Sequence, residues 1–310
     1  MEIFCNLLLT EKQIDRLRDA TGTATLHVIA AERLGPDARS LFERSEIVFG
    51  NPPPAWIGES SALRWMQLES VGFGEYLLLD WNSLGKRVCV TNLSGFFRSS
   101  VAESILAGVM ALHRGIDRLV LLKEARSWEG GAIRRALRSL SCAEVVLFGQ
   151  GSINTRVAEL LVPFGCNVTF FRRGWNGAAL NAALAQADLV VSAVPDLPET
   201  HDVFDRTRLA SVKHGAIFAN FGRGSVVDDD ALADGLFSGS IGGAVIDVTR
   251  YEPLPADHRF WTLPNLILTQ HSGGGTGNEI DRKIDWFLNN LSHYLLGDPL
   301  ISAVDFARGY

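Results

Sequence analysis

The chain has 310 residues, a formal net charge of −6 at pH 7, and 47% hydrophobic residues. This length and apolar content allow a large buried core and favour two domains over one. An acidic chain without a long basic run is a poor candidate for general nucleic-acid binding. We therefore expect a globular protein with no nucleic-acid partner.

The N-terminal segment MEIFCNLLLTEKQ has no basic region, and its apolar run ends too early for a signal peptide. The longest apolar stretch, around ILAGVMAL, is well short of a membrane span. The four cysteines are scattered without a CxxC pair, so neither a zinc site nor a disulfide framework is indicated. These features favour a cytoplasmic protein with reduced cysteines, no metal and no membrane partner.

The first hundred residues alternate between strand-like and helical or loop segments. The apolar runs predicted as strands are EIFCNLLL, TLHVIA, EIVFG, WMQLES and RVCVTN. A long helical pattern then begins near Ser100, and apolar residues from Val101 to Val120 fall close to one face. Its position suggests the connection between two domains.

A second α/β region begins near residue 145. EVVLF predicts a strand, apolar residues recur at helical spacing from Ile153 to Phe164, and NVTFF predicts the next strand. Together they form one βαβ unit. ADLVVSAV, GAIFAN, GGAVIDV and NLILTQH are apolar runs too continuous for half-exposed strands, which suits a parallel sheet covered on both faces.

The turn after EVVLF has the glycine pattern of a dinucleotide-binding loop. Gly149 suits a tight turn, and Gly151 lets the backbone approach a pyrophosphate that sits on the N-terminus of the following helix. The candidate pyrophosphate contacts are therefore Gly149, Gly151, Ser152 and Ile153. Asn154 stands where a third glycine would let helix and strand pack closely. Alone, this turn barely distinguishes a cofactor loop from a plain strand–turn–helix.

Arg172 and Arg173 follow the next predicted strand, about 20 residues beyond the glycine turn. An acidic residue there would bind the ribose 2′-hydroxyl of NAD, whereas arginine can accommodate the 2′-phosphate of NADP. Two solvated arginines at a strand end are the simpler alternative. We expect NADP in preference to NAD.

Three later strand-like runs lead to polar residues that can carry chemistry. Arg223 follows GAIFAN, Glu252 follows GGAVIDV, and His271 ends NLILTQH. Ligands of open α/β sheets bind at the carboxyl ends of the strands, so these side chains could form a proton-transfer site with an anion clamp. Each one alone is also explained as a surface arginine, an exposed loop carboxylate or a strand-end histidine. Their joint order and spacing favour the functional interpretation.

NFGRGSVVDDDAL, IDVTRYEPLP and LTQH resemble the three signature segments of the D-isomer-specific 2-hydroxyacid dehydrogenase family. SVAES resembles the start of that family's interdomain helix, and the closing VDFARGY resembles an ending frequent in some of its branches. The resemblance covers nearly the whole chain and is strongest over residues 145–275. It implies an NAD(P)-dependent reductase of a small 2-oxo acid such as glyoxylate or hydroxypyruvate.

The resemblance assigns the chemistry to three side chains. Arg223 matches the family's substrate-binding arginine, Glu252 its catalytic glutamate and His271 its acid/base histidine. Arg223 can hydrogen-bond across the adjacent carboxylate and carbonyl of a 2-oxo acid and polarise the carbonyl. A protonated His271, whose charged form Glu252 favours, can donate to the forming alkoxide while the nicotinamide delivers the hydride.

Binding roles follow from the same resemblance. Val71 and Gly72 match a loop whose backbone N–H groups take the substrate carboxylate. Asp247 matches an aspartate that holds the nicotinamide end, and Pro195 falls in the cofactor site. Gln270 departs from the family pattern, in which proline is common.

The resemblance implies two α/β domains. A flavodoxin-like substrate domain is expected over residues 1–98, completed by 276–310, and a Rossmann-type domain with a doubly wound parallel sheet over 99–275. The substrate is expected in the cleft between them, and the assembly is expected to be a homodimer packed through the cofactor domains. The alternative is a nucleotide-responsive interaction module, as in the C-terminal binding protein co-repressors. A formate-dehydrogenase-like activity is disfavoured because Glu252 retains the family's usual acid.

Overall fold

The structure is a computed structural model that describes residues 1–306. Residues 307–310, which end the VDFARGY segment, lie outside the described residues. The chain divides into two compact units, which are described separately below. Unit 1 is Met1–Ser94 together with the chain from Thr276 onward, and unit 2 is Gly95–Gly275.

Strands and helices alternate through both units. The strands are β1 (Glu2–Cys5), β2 (Thr25–Val28), β3 (Ile47–Phe49), β4 (Trp65–Gln67), β5 (Cys89–Thr91), β6 (Glu144–Phe148), β7 (Asn167–Phe171), β8 (Leu189–Ser192), β9 (Ala216–Asn220), β10 (Ile241–Ile246) and β11 (Leu266–Leu268). The helices are α1 (Glu11–Thr21), α2 (Pro36–Arg44), α3 (Pro54–Glu59), α4 (Trp81–Leu84), α5 (Arg98–His113), α6 (Ile116–Glu124), α7 (Gly130–Ala136), α8 (Ser152–Leu161), α9 (Gly177–Leu184), α10 (Arg206–Ser211), α11 (Asp229–Ser238) and α12 (Glu279–Leu296).

Unit 1 is built on a five-stranded parallel sheet in the order β2-β1-β3-β4-β5. This order is that of the flavodoxin-like fold, as predicted. Each strand lies inside one of the apolar runs that predicted it. Helix α12 packs on the sheet through Phe287, whose ring stacks on Phe49 and Trp65 at centroid distances of 4.5 and 5.3 Å. Burying an aromatic side chain in this way contributes about 1.5–3 kcal/mol.

Unit 2 contains a six-stranded parallel sheet in the order β11-β10-β9-β8-β6-β7. Successive residues of β6 point to opposite faces, where Val145 packs with α5 and α8 and Val146 packs with α9 and α11. The sheet is therefore covered on both faces, which explains the continuous apolar runs and confirms the predicted doubly wound, Rossmann-type class. Strand order reverses between β6 and β8, and ligands of such sheets bind at this switch point, outside the carboxyl ends.

The long helical pattern that begins near Ser100 is not one helix. It is interrupted by Gly115, which adopts a left-handed conformation with φ of +61° between α5 and α6. Glycine takes this conformation without steric cost, so it ends α5 and redirects the chain. As a result, Val109 is buried while Ile116 and Val120 are 49% and 51% exposed. Apolar spacing alone could not distinguish the buried helix from the exposed one.

Candidate active site

The glycine turn joins β6 to α8 at the switch point of the unit 2 sheet. Gly149 has a φ of +100°, and a Cβ there would lie 2.7 Å from a side-chain carbon of Val194, so this turn requires glycine. By contrast, Gly151 has an ordinary extended conformation, and a Cβ there would meet no atom within 4 Å. The space in front of Gly151 is open.

The first N–H groups of α8 face this open space without a protein partner. The first hydrogen bond of the helix is donated by Thr155 N–H to the Gly151 carbonyl at 3.0 Å. Within residues 1–306, no acceptor takes the N–H of Ser152 or Ile153. Free N–H groups at a helix N-terminus bind anions, so the residues present fit the pyrophosphate of a dinucleotide.

The two arginines after β7 have different surroundings. Arg173 forms an ion pair with Glu199, with a distance of 3.0 Å between Nε and Oε1. Arg172 is exposed and makes no hydrogen bond or ion pair with the residues that the structure describes. Pro195 lies in the exposed loop after β8, where its carbonyl accepts a hydrogen bond of 2.8 Å from the Thr200 hydroxyl. These groups all follow the carboxyl ends of β7 and β8.

Arg223 is presented by a tightly packed loop after β9. The Asn220 side chain holds this loop, because its Nδ2 donates to the Arg223 carbonyl at 2.9 Å and its Oδ1 accepts from Gly222 N–H at 3.2 Å. A side chain at Gly222 or Gly224 would overlap the backbone after β8 or β10. The Arg223 side chain stays exposed, and within residues 1–306 its guanidinium donates only to the carbonyl of Gly222, at 2.7 Å.

Glu252 and His271 form a hydrogen-bonded pair. The distance between His271 Nδ1 and Glu252 Oε2 is 2.7 Å, and Thr249 N–H donates to the other carboxylate oxygen at 3.0 Å. Burial raises the pKa of Glu252, but these two hydrogen bonds and the charges of His271 and Arg223 outweigh it, so the pKa lies below its usual value. Glu252 is therefore a carboxylate at neutral pH. His271 Nε2 makes no hydrogen bond within residues 1–306, and the side chain is 56% exposed.

Asp247 organises the loop that carries His271. Its Oδ1 accepts hydrogen bonds from the Thr269 hydroxyl at 2.5 Å and from the N–H groups of Ser272 and Gly273, both at 3.0 Å. Its backbone carbonyl accepts from His271 N–H at 2.6 Å. The sequence indicated a contact with the nicotinamide end for this residue, and that contact stays a prediction.

The backbone conformation at Gln270, the residue before His271, excludes proline. Gln270 and His271 have φ values of +55° and +54°. The ring of proline fixes φ near −65°, so proline cannot adopt this conformation. The residues after His271 are held by helix α5, since the hydroxyls of Ser104 and Ser100 donate to the carbonyls of Gly273 and Gly274, both at 2.9 Å.

Val71 and Gly72 lie in unit 1, in an exposed loop after β4. Their carbonyls are occupied, since Asn92 Nδ2 donates to Val71 O at 2.8 Å and the Ser70 hydroxyl donates to Gly72 O at 2.6 Å. No acceptor in the described part of the chain takes their N–H groups. The loop thus presents free donors, as a carboxylate site requires.

Arg223, Glu252 and His271 follow the carboxyl ends of the neighbouring strands β9, β10 and β11 of unit 2. The positive charge of Arg223 helps to lower the pKa of the Glu252 carboxyl. Beside the Glu252–His271 pair lies a cavity of about 320 Å³, lined by Glu252, His271, Asp247 and Trp261 among others.

Sequence reasoning missed the residues that hold the loops of the site in place. They are Asn92, Ser100, Ser104, Thr249 and Thr269. The only sequence signal was the placement of several of them inside the quoted motifs.

Comparison with known proteins identifies the class. Residues 106–273 match the model of the D-isomer specific 2-hydroxyacid dehydrogenase, NAD binding domain. The chain is 30% identical over 226 residues to glyoxylate/hydroxypyruvate reductase B of Pectobacterium carotovorum, covering 69% of this chain and 70% of that protein. It is 28% identical over 243 residues to hydroxyphenylpyruvate reductase of Plectranthus scutellarioides, covering 76% of both.

Solved structures agree with this match. A D-isomer specific 2-hydroxyacid dehydrogenase family protein from Aeromonas salmonicida superposes with a TM-score of 0.79 and 28% identity, covering 98% of this chain and 99% of that one. The chain belongs to the D-isomer specific 2-hydroxyacid dehydrogenase family. It is therefore an oxidoreductase that uses a nicotinamide cofactor, and the predicted family, fold class and enzyme class are confirmed.

None of the helices in residues 1–306 combines the length and apolarity that crossing a lipid bilayer requires. The homodimer, the cytoplasmic location and the boundaries of the two functional domains stay predictions.

Proposed function

We propose that the protein reduces a small 2-oxo acid, of the glyoxylate or hydroxypyruvate type, to the D-2-hydroxy acid. The observation that carries this proposal is the 2.7 Å hydrogen bond between His271 Nδ1 and the Glu252 carboxylate, with the exposed Arg223 after the neighbouring strand β9. The name of the Pectobacterium relative, glyoxylate/hydroxypyruvate reductase B, supports the substrate class.

In this proposal Glu252, His271 and Arg223 have different roles in the reaction. Because Glu252 is ionised, it accepts a hydrogen bond from His271 Nδ1–H and orients the ring. The exposed Nε2–H then donates its proton to the oxygen that becomes the product hydroxyl. Arg223 binds the carboxylate and polarises the neighbouring carbonyl. The nicotinamide, when bound, supplies the hydride.

The backbone N–H groups that have no acceptor within residues 1–306 are the proposed binding groups for the cofactor and the substrate. The N–H groups of Ser152 and Ile153, beside Gly149 and Gly151, are proposed to hold the pyrophosphate, with Pro195 and Asp247 toward the nicotinamide. The N–H groups of Val71 and Gly72 are proposed to take the substrate carboxylate.

We propose NADPH as the preferred cofactor. Arg172 supports this proposal because its guanidinium has no hydrogen-bond or ion-pair partner within residues 1–306, whereas Arg173 already pairs with Glu199. A 2′-phosphate gains charge-assisted hydrogen bonds from a guanidinium that a 2′-hydroxyl cannot match.

With glyoxylate or hydroxypyruvate as substrate, we expect kcat/KM for NADPH to exceed that for NADH by about 10- to 100-fold. Each charge-assisted hydrogen bond to the 2′-phosphate contributes about 1.5–3 kcal/mol. Arg172→Asp is expected to remove this preference, because it replaces attraction by repulsion and offers NADH an acceptor for its 2′-hydroxyl. The measurement is the loss of reduced-cofactor absorbance with each cofactor.

Arg173→Gln is the matched control. Since Arg173 is held by Glu199, its removal is expected to change the preference much less. Equal efficiencies with the two cofactors, or a preference that survives in Arg172→Asp, would show that Arg172 does not bind the phosphate. Absence of turnover with glyoxylate, hydroxypyruvate, pyruvate and phenylpyruvate would contradict the proposed reaction and favour the interaction module.

A further inference from the structure

Asn154 occupies the third glycine position of the dinucleotide-binding turn, in the first turn of α8. Its side chain is fully buried. The amide nitrogen donates two hydrogen bonds, to the carbonyl of Phe148 at 2.9 Å and to the carbonyl of Gly149 at 2.8 Å. The side chain thus links the start of α8 to the last residue of β6 and to the first residue of the turn.

The two carbonyls that Asn154 binds lie at the switch point of the sheet. Phe148 is paired with Ser192 of β8, and its carbonyl also accepts a hydrogen bond of 3.1 Å from Ala193 N–H. The Gly149 carbonyl belongs to the residue whose φ of +100° makes the turn. A glycine at position 154 would leave both carbonyls without this donor.

The two N–H groups of the Asn154 carboxamide, and not its oxygen, make the favourable contacts of this side chain. Asn154 Oδ1 is buried and has no hydrogen-bond partner in the described part of the chain. An unpaired buried acceptor lowers stability, so the favourable contribution of the side chain comes from its two N–H bonds. Aspartate has the same shape as asparagine but no such donors, which gives an almost isosteric variant for a test.

We propose that Asn154 is a positioning residue that fixes the N-terminus of α8 against the end of β6. The fixed helix end aims the free N–H groups of Ser152 and Ile153 at the cofactor pyrophosphate. In most turns of this type the third glycine achieves this placement by close helix–strand packing. Here the two carboxamide hydrogen bonds achieve it instead. The inference rests on the proposed cofactor site.

The test is a fluorescence titration of NADPH and NADH with wild type, Asn154→Asp and Asn154→Ala, together with thermal unfolding and steady-state kinetics. Asn154→Asp is expected to raise the Kd of both cofactors about 10-fold or more, since two donors are lost and a charge is added. Asn154→Ala loses the donors without adding charge and is expected to raise Kd about 3- to 10-fold. Both should leave kcat at saturating cofactor, and KM for the 2-oxo acid, within about threefold.

Asn290→Asp is the matched control. Asn290 is also fully buried, and its amide nitrogen also donates two hydrogen bonds, at 2.9 and 3.0 Å, but it lies in unit 1. This variant should lower the thermal midpoint without changing the cofactor Kd of the folded protein.

Wild-type Kd values in folded Asn154→Asp would overturn the positioning role. If that variant fails to fold, a wild-type Kd in Asn154→Ala overturns it equally. A rise in Kd that Asn290→Asp reproduces would show a general loss of stability and also overturn it. If the wild type binds neither cofactor, the proposed cofactor site itself fails, and Asn154 loses its role with it.

Discussion

Replacing His271 with alanine is expected to lower kcat for 2-oxo acid reduction by about 10²- to 10⁴-fold, the usual contribution of a general acid. His271 Nδ1 lies 2.7 Å from a Glu252 carboxylate oxygen, while Nε2 makes no hydrogen bond within residues 1–306 and the side chain is 56% exposed. Its removal deletes the proton donor but touches none of the N–H groups at the start of α8. Cofactor Kd should therefore stay near the wild-type value, measured by titration alongside steady-state kinetics.

His201→Ala is the matched control for this variant. His201 lies in the same unit, is similarly exposed at 52%, and also pairs with a carboxylate, at 3.1 Å from Asp202. Its removal is expected to leave kcat within about twofold, as for most surface substitutions away from a site. Near wild-type turnover in His271→Ala, or an equal loss in His201→Ala, would remove His271 from the mechanism.

Gly151→Val is expected to abolish cofactor binding while the protein still folds. The backbone at Gly151 is extended, and a Cβ there meets no protein atom within 4 Å, so valine fits the fold. The added methyl groups project into the space in front of the free N–H groups of α8, where the pyrophosphate is proposed to bind. We expect Kd for NADPH and NADH to rise at least about 100-fold, with little change in the thermal midpoint.

Gly35→Val provides the comparison. Gly35 also precedes a helix in an extended conformation with open space around its Cβ position, but it lies before α2 in unit 1. This variant should bind both cofactors normally. Normal binding by Gly151→Val would show that the turn at residues 149–154 does not hold the pyrophosphate.

The sequence predicted the sheets well because buried parallel strands leave continuous apolar runs, and glycine marks the turn after β6. It also predicted that Arg223, Glu252 and His271 follow strand ends, and the structure places these residues after the carboxyl ends of β9, β10 and β11. It could not predict which residues hold their loops. The bond between the Ser100 hydroxyl and the Gly274 carbonyl joins residues 174 positions apart, so no local pattern reports it.

Two departures from the expected pattern became clear only in three dimensions. The spacing of apolar residues continues through Gly115, so the end of α5 depended on a left-handed backbone conformation that spacing does not show. Asn154 looked like the loss of a packing glycine. Its side chain instead supplies hydrogen bonds to two carbonyls, which depends on their orientation at the end of β6.

The most direct test of the Glu252–His271 pair is kcat/KM for reduction at neutral pH, in wild type and Glu252→Gln. The pKa of Glu252 lies below its usual value because of its hydrogen bonds with His271 and Thr249 N–H, so its negative charge is present at neutral pH. Glutamine has nearly the same shape but no charge, so it no longer holds His271 as a proton donor. We expect kcat/KM to fall at least about 10-fold, with the cofactor Kd unchanged. Equal kcat/KM values in the two proteins would contradict the acid/base pair.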